Sequence, residues 1–179
     1  MFEEKELSRK TVYEGRIVTL RSDVAELVNG KQVKREVVEH PGGVCIVPVD
    51  EAGYCYLVRQ FRYPFQTSLL EFPAGKLEHG EDPLLCAIRE LSEETGLSAG
   101  SVMPLGQMYP SPGYLDEVIH LYLARDLTQG EAHPDENEFL SVERHSIEAL
   151  CRMVTENKLP DAKTVVALFK TMQYMRYTL

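Results

Sequence analysis

The chain lacks the features that send a protein into a bilayer or onto nucleic acid. No apolar run approaches the ~20 residues that span a membrane. The first ten residues, MFEEKELSRK, hold no apolar core of a secretory signal, so the expected location is the cytoplasm. Basic residues are outnumbered, 19 Lys and Arg against 28 Asp and Glu, which leaves a formal charge of -9. Phosphate backbones and anionic lipids are held by clustered Lys and Arg, so neither nucleic acid nor a membrane surface is an expected partner. Cysteine is sparse and scattered: Cys45, Cys55, Cys86 and Cys151 show no paired ligand spacing. Three of them fall in apolar stretches and read as small core residues of a reducing compartment. The five histidines stand apart from the cysteines and from one another, and none is assigned to a metal. Internal repeats are absent and no linker is long enough to set off a second globular unit, so 179 residues are expected to behave as one domain.

What the chain does have is an acidic stretch with fixed spacing, Gly75 to Leu97, GKLEHGEDPLLCAIRELSEETGL. From Asp82 it suits a helix. Asp82 can cap it, Pro83 fits its first position, and Gly96 can close it just past the end. At about 100° per residue, Leu84, Leu85, Ile88, Leu91 and Thr95 fall on one arc, with Glu90, Glu93 and Glu94 opposite. The expectation is a helix with one apolar face and one triply acidic face. Carboxylates at i, i+3 and i+4 repel one another by a few tenths of a kcal/mol per pair. Arg89 can pair with Glu93 one turn on, but one guanidinium leaves an excess of negative charge. Hard divalent cations bound through oxygen, Mg²⁺ or Mn²⁺, would relieve it. A solvated acidic face is the bland alternative for an isolated E-x-x-E-E segment. The rest of the pattern argues against it: seven fixed residue types, each about 6% of an average chain, recur by chance on the order of once in 10⁸ starting positions or less.

Gly75, Glu81, Arg89, Glu90, Leu91, Glu93, Glu94, Gly96 and Leu97 resemble a complete Nudix box, G-x5-E-x7-R-E-U-x-E-E-x-G-U with U aliphatic, and no position departs from it. The resemblance implies an α/β fold of the Nudix type, a mixed β-sheet sandwiched between α-helices with the box as loop, helix and loop. It also implies hydrolysis of a nucleoside diphosphate linked to another moiety, with divalent cations on the box glutamates. Before the box, Arg59-Gln60-Phe61-Arg62 followed by Glu71-Phe72-Pro73-Ala74-Gly75 is similar to the entry of ADP-ribose pyrophosphatases. After it, Ser111-Pro112-Gly113 with Glu117 four residues on is similar to the marker of that subgroup.

Taken in order, residues 1–40 read as an N-terminal antiparallel β extension. Thr11 to Leu20 reads as one strand, and Asn29-Gly30 is a hairpin signal between Val24–Val28 and Val33–Val38. The resemblance implies that this extension builds a homodimer. Val44–Val49, Tyr54–Val58, Val102–Tyr109 and Val118–Ala124 read as further strands. Gln129 to Glu138 is a polar, acidic loop, and two helices follow, one capped by Ser146 and one starting at Asp161.

By resemblance, Glu90, Glu94, Glu138 and the Ala74 carbonyl hold metal. Glu136 activates water with Glu93 close by, although Glu138 is the alternative base. Arg35, Glu36, His40, Arg62, Lys76, Ser111, Pro112, Gly113 and Glu117 contact a small-molecule nucleoside diphosphate sugar. The implied reaction is ADP-ribose plus water to AMP plus ribose 5-phosphate, with Mg²⁺ as the cofactor and Mn²⁺ as a substitute. Two other readings stay open. The box leaves base and sugar undetermined, so GDP-mannose is a rival substrate. A non-catalytic, ligand-sensing regulator is the rival of another class, but it would need an added basic DNA-binding module that the chain does not supply.

Overall fold

Runs of β-branched residues around Asn29-Gly30 close into the expected hairpin, with Gly30 at φ 80°. Residues 2–133 and 139–176 are described by the computed structural model of the protein, and they divide into two compact units. The first comprises residues 1–42 and 109–118. Its strands are β1 (Lys5–Ser8), β2 (Thr11–Glu14), β3 (Thr19–Glu26) and β4 (Gln32–Glu39). β3 pairs antiparallel with all three others. The single strand expected over Thr11 to Leu20 is instead two, because the chain reverses after Gly15, whose N–H donates to the Val18 carbonyl at 2.9 Å. Segment 109–118 joins this unit by docking on β4: Val38 N–H donates to the Tyr114 carbonyl at 2.7 Å, and Asp116 N–H to the Val38 carbonyl at 3.1 Å.

The second unit holds the remaining elements: β5 (Gly43–Pro48), β6 (Tyr54–Arg62), β7 (Thr67–Glu71), β8 (Ala74–Lys76), α1 (Pro83–Thr95), β9 (Leu97–Met108), β10 (Ile119–Gln129), β11 (Leu140–Ser146), α2 (Ile147–Thr155) and α3 (Ala162–Tyr174). One sheet runs β8-β5-β10-β9, parallel between β5 and β10 and antiparallel elsewhere. Every residue of β5 is buried, as a near-continuous apolar run predicts for a strand covered on both faces. Cys45 and Val47 face a core shared with Leu168 and Met172 of α3, while Val44 and Ile46 face Cys86, Ala87 and Leu91 of α1. The mixed sheet between helices is thus the expected one. A second sheet, β11-β6-β7, adds Cys55, Leu57 and Leu70 to the first of these cores.

Helix α1 begins and ends where its caps predict. Asp82 accepts from the N–H groups of Leu84 and Leu85, and Gly96 follows at φ 71°. Its buried face differs from the expected arc. Leu85 is 64% exposed, and Leu84 and Ile88 are also exposed, whereas Cys86, Ala87, Leu91, Glu94 and Thr95 are buried. The helix is rolled so that a carboxylate goes inward at the expense of three aliphatic side chains. Glu94 has a backbone partner inside, 20 residues earlier in the chain, described below.

Gly96 has no substitute. A Cβ there would lie 2.8–2.9 Å from backbone atoms of Gly130, Glu131 and Ala132, and the left-handed φ itself costs an L-residue about 1–2 kcal/mol. Gly96→Ala is expected to lower stability by at least that amount in urea unfolding. An unchanged midpoint would mean that the 130–132 segment does not pack against the end of α1.

Candidate active site

The acidic face of α1 is organised by one cation. Arg89 grips Glu81 with two nitrogens, Nε to Oε1 at 3.0 Å and Nη2 to Oε2 at 3.1 Å, and its third, Nη1, donates to Glu90 at 2.8 Å and Glu93 at 2.9 Å. One guanidinium therefore offsets three carboxylates that would otherwise repel. The hydrogen bond from Arg89, then that from the Glu78 N–H, holds the Glu81 carboxyl at a pKa of about 2, and the bond to Glu81, with Glu90 and Glu93 beside it, raises Arg89 above its ordinary value. Glu94 also bonds the main chain. It is 2% exposed and accepts the Ala74 N–H at 3.1 Å, which ties the helix to β8.

Gly75 completes the geometry. A Cβ at that position would sit 1.8 Å from Glu90 Oε1, so the Glu90 carboxylate occupies the space that a side chain would fill. Glycine is demanded here by close approach rather than by an unusual φ. The implied divalent cation can be tested against these groups. Among the described residues, no three His, Cys, Asp or Glu side chains converge as a ready-made cage, since Glu90 and Glu93 point their oxygens at Arg89. The donors themselves are all hard oxygens, carboxylates at Glu90, Glu93 and Glu94 beside the main chain of Ala74. That set fits Mg²⁺ or Mn²⁺ and does not fit a soft metal.

A second charged cluster lies where the chain enters the box. Glu71, at the end of β7, is 1% exposed and is held by three donors. Arg62 binds it bidentately, Nε to Oε1 and Nη2 to Oε2 at 2.7 Å each, and Lys163 Nζ donates to Oε2 as well. Burial pushes the Glu71 carboxyl up, but Arg62 and Lys163 outweigh it and keep it below the usual range. Burial likewise pushes Lys163 down, and Asp161 and Glu71 outweigh that to keep it charged. Sequence reasoning singled out Arg62 and missed Lys163. No local pattern marks that lysine, because its partner is 92 residues away.

The other expected residues are distributed as follows. In the second unit, Lys76 is exposed at the end of β8. In the first, Arg35 pairs with Glu4 at 2.7 and 2.9 Å on an exposed surface, and Glu36 is exposed on β4. His40 Nδ1 accepts the Gly42 N–H at 3.1 Å and lies 3.3 Å from Glu117, while its own N–H donates to Asp116 at 2.8 Å. The Ser111 carbonyl accepts from Leu115 N–H at 3.0 Å, closing the turn that leaves Pro112 and Gly113 exposed. Glu136 and Glu138 lie outside the described residues. His133, just before that stretch, donates its backbone N–H to the Glu93 carbonyl at 3.0 Å.

The model of the NUDIX domain matches residues 39–169. A methanol dehydrogenase activator of Bacillus methanolicus is 41% identical over 170 residues, covering 94% of this chain and 92% of the relative. An ADP-ribose pyrophosphatase of Bacillus subtilis (strain 168) is 39% identical over 168 residues, covering 93% and 91%. The crystal structure of an ADP compounds hydrolase superimposes with a TM-score of 0.86 at 26% identity, covering 97% of this chain and 95% of that one.

The Arg89 latch has a pH signature. Glu81 has a folded-state pKa of about 2, below its ordinary 4.5, so its contribution to stability is fully present above about pH 4.5 and is lost as pH falls towards 2. Glu81→Gln is expected to unfold less steeply with acid over that interval when followed by circular dichroism. An acid titration identical to wild type would remove Glu81 from the latch.

Proposed function

Because the chain belongs to the Nudix family of hydrolases, we propose that it cleaves the pyrophosphate bond of ADP-ribose, giving AMP and ribose 5-phosphate. The observation that carries this reading is the set of oxygen donors on one turn of α1: Glu90 seated against Gly75, and Glu94 buried and tied to Ala74. A diphosphate resists attack because its oxygens are anionic and neutral water is a poor nucleophile. A bound divalent cation supplies charge neutralisation and a more acidic water. Glu90, Glu94 and the Ala74 carbonyl would hold it, with Mg²⁺ as the physiological ion and Mn²⁺ as a substitute.

The chain's own groups do the rest. Glu136 takes the proton from the attacking water, and Glu138 adds a further carboxylate. His133, three residues before Glu136 in the sequence, is anchored to the box helix at Glu93. Arg62, fixed by Glu71, presents its outer edge to phosphate. Lys76 and the residues Arg35, Glu36, His40, Ser111, Pro112, Gly113 and Glu117 are assigned to the nucleotide and the sugar. The protein is taken to work in the cytoplasm as a homodimer built through residues 1–40.

The Bacillus methanolicus relative favours a second reading, in which the chain acts on a dehydrogenase. Hydrolysis by the isolated protein separates the two. ADP-ribose, other nucleoside diphosphate sugars and GDP-mannose should be compared with and without chelator, with phosphate released from the products by phosphatase. Cation-dependent turnover of ADP-ribose is expected, and no turnover of any member would overturn the reading.

Glu94→Gln keeps an acceptor for the Ala74 N–H, so it is expected to fold normally and lose turnover; near-normal rates would remove the metal assignment. Glu136→Gln is expected to lower kcat by about 10²–10⁴-fold with little change in KM. An unchanged kcat at saturating cation would move the base elsewhere.

A further inference from the structure

The start of helix α3 makes contacts that the hydrolytic scheme above does not use. Asp161 caps the helix by accepting the Thr164 N–H at 3.0 Å, and it pairs with Lys163 at 3.0 Å. Lys163 reaches Glu71, and the neighbouring Thr164 hydroxyl, fully buried, accepts the Phe72 N–H at 3.0 Å. Two residues further along, Ala74 N–H donates to Glu94. Segment 71–74 is therefore clamped by the first turn of α3 at one end and by the last turn of the box helix at the other.

Resting on the hydrolase reading, we propose that Lys163 is a positioning residue for substrate binding, acting through Glu71 to fix the guanidinium of Arg62. Arg62 spends Nε and Nη2 on Glu71, and among the described residues Nη1 has no hydrogen-bond partner, on a side chain that is 36% exposed. A guanidinium held on two of its nitrogens offers the third at a fixed angle, which is what directional recognition of a phosphate oxygen requires. Glu71 performs that role only if its carboxylate stays ionised and in place. Arg62 from β6 and Lys163 from α3 face it, with Asp161 beside the lysine, and both cations bond the same Oε2. Lys163 thus adds a third donor to a carboxylate that Arg62 holds on both oxygens, and ties that carboxylate to the first turn of α3. Buried ion clusters are poor stabilisers compared with apolar packing. A largely covered lysine spent on a buried glutamate next to the box is better explained by orientation than by stability.

The test is a double-mutant cycle on ADP-ribose hydrolysis with Lys163→Met, Arg62→Ala and the pair. Lys163→Met is expected to raise KM about tenfold or more while kcat stays within about threefold, the pattern of lost ground-state binding. Lys163→Arg, which keeps a cationic donor, is expected to recover most of the loss. In the Arg62→Ala background, Lys163→Met should add little, because the lysine acts through the arginine. Full additivity, or a fall in kcat with KM unchanged, would overturn the proposal. If Lys163→Met does not fold, Lys163→Gln, which replaces the cationic donor by a neutral one, is expected to raise KM by an intermediate amount, and a KM equal to wild type would overturn the proposal. Absence of turnover in the wild-type protein would instead overturn the hydrolase reading, so the two failures are distinct.

Discussion

Four glutamates within 14 residues would force one another apart, and the site exists because Arg89 stands among three of them. That guanidinium joins the loop carrying Glu81 to the helix carrying Glu90 and Glu93. Glu94 is the exception, turned inward to a backbone N–H on β8, and it sets the roll of the helix. The two arrangements divide the labour. One holds carboxylates of the loop and the helix on a single guanidinium. The other locks the helix to the strand whose main chain lies beside them.

Much of this was legible in the sequence because the signals are local. Caps at Asp82, Ser146 and Asp161 and the glycine at 96 set helix starts and one helix end, and Asn29-Gly30 set a hairpin. Helical spacing pairs Arg89 with Glu93 as the structure does, whereas the grip of Arg89 on Glu81 carries no such local signal. Where reading failed, a non-local contact had overruled a local pattern. Periodicity counts Leu84, Leu85 and Ile88 as core, yet a hydrogen bond 20 residues away turned the helix so that they face outward. A run of β-branched residues over Thr11 to Leu20 has no way to register that Gly15 will close a turn onto Val18. The segment after β9 reads as a shaped turn, but its docking on β4 depends on residues more than 70 positions earlier.

Chemistry and specificity sit on different residues. Holding a cation needs oxygen donors at fixed spacing, which one helix provides and which a motif records. Choosing a base and a sugar needs contacts from several segments that no spacing rule describes. The Glu71 cluster stands between the two, since it supports the main chain leading into the box and also aims an arginine. An ADP-ribose pyrophosphatase relative at 39% identity and the match to an ADP compounds hydrolase bear on the second question, while the box glutamates bear on the first.

The central claim is that the box carboxylates hold divalent ions against a diphosphate. Crystals soaked in Mn²⁺ and measured at the manganese absorption edge test it most directly. Anomalous peaks are expected within bonding distance of Glu90 and Glu94, with Arg89 displaced from Glu90. Peaks elsewhere, or none in crystals that still hydrolyse substrate, would contradict it.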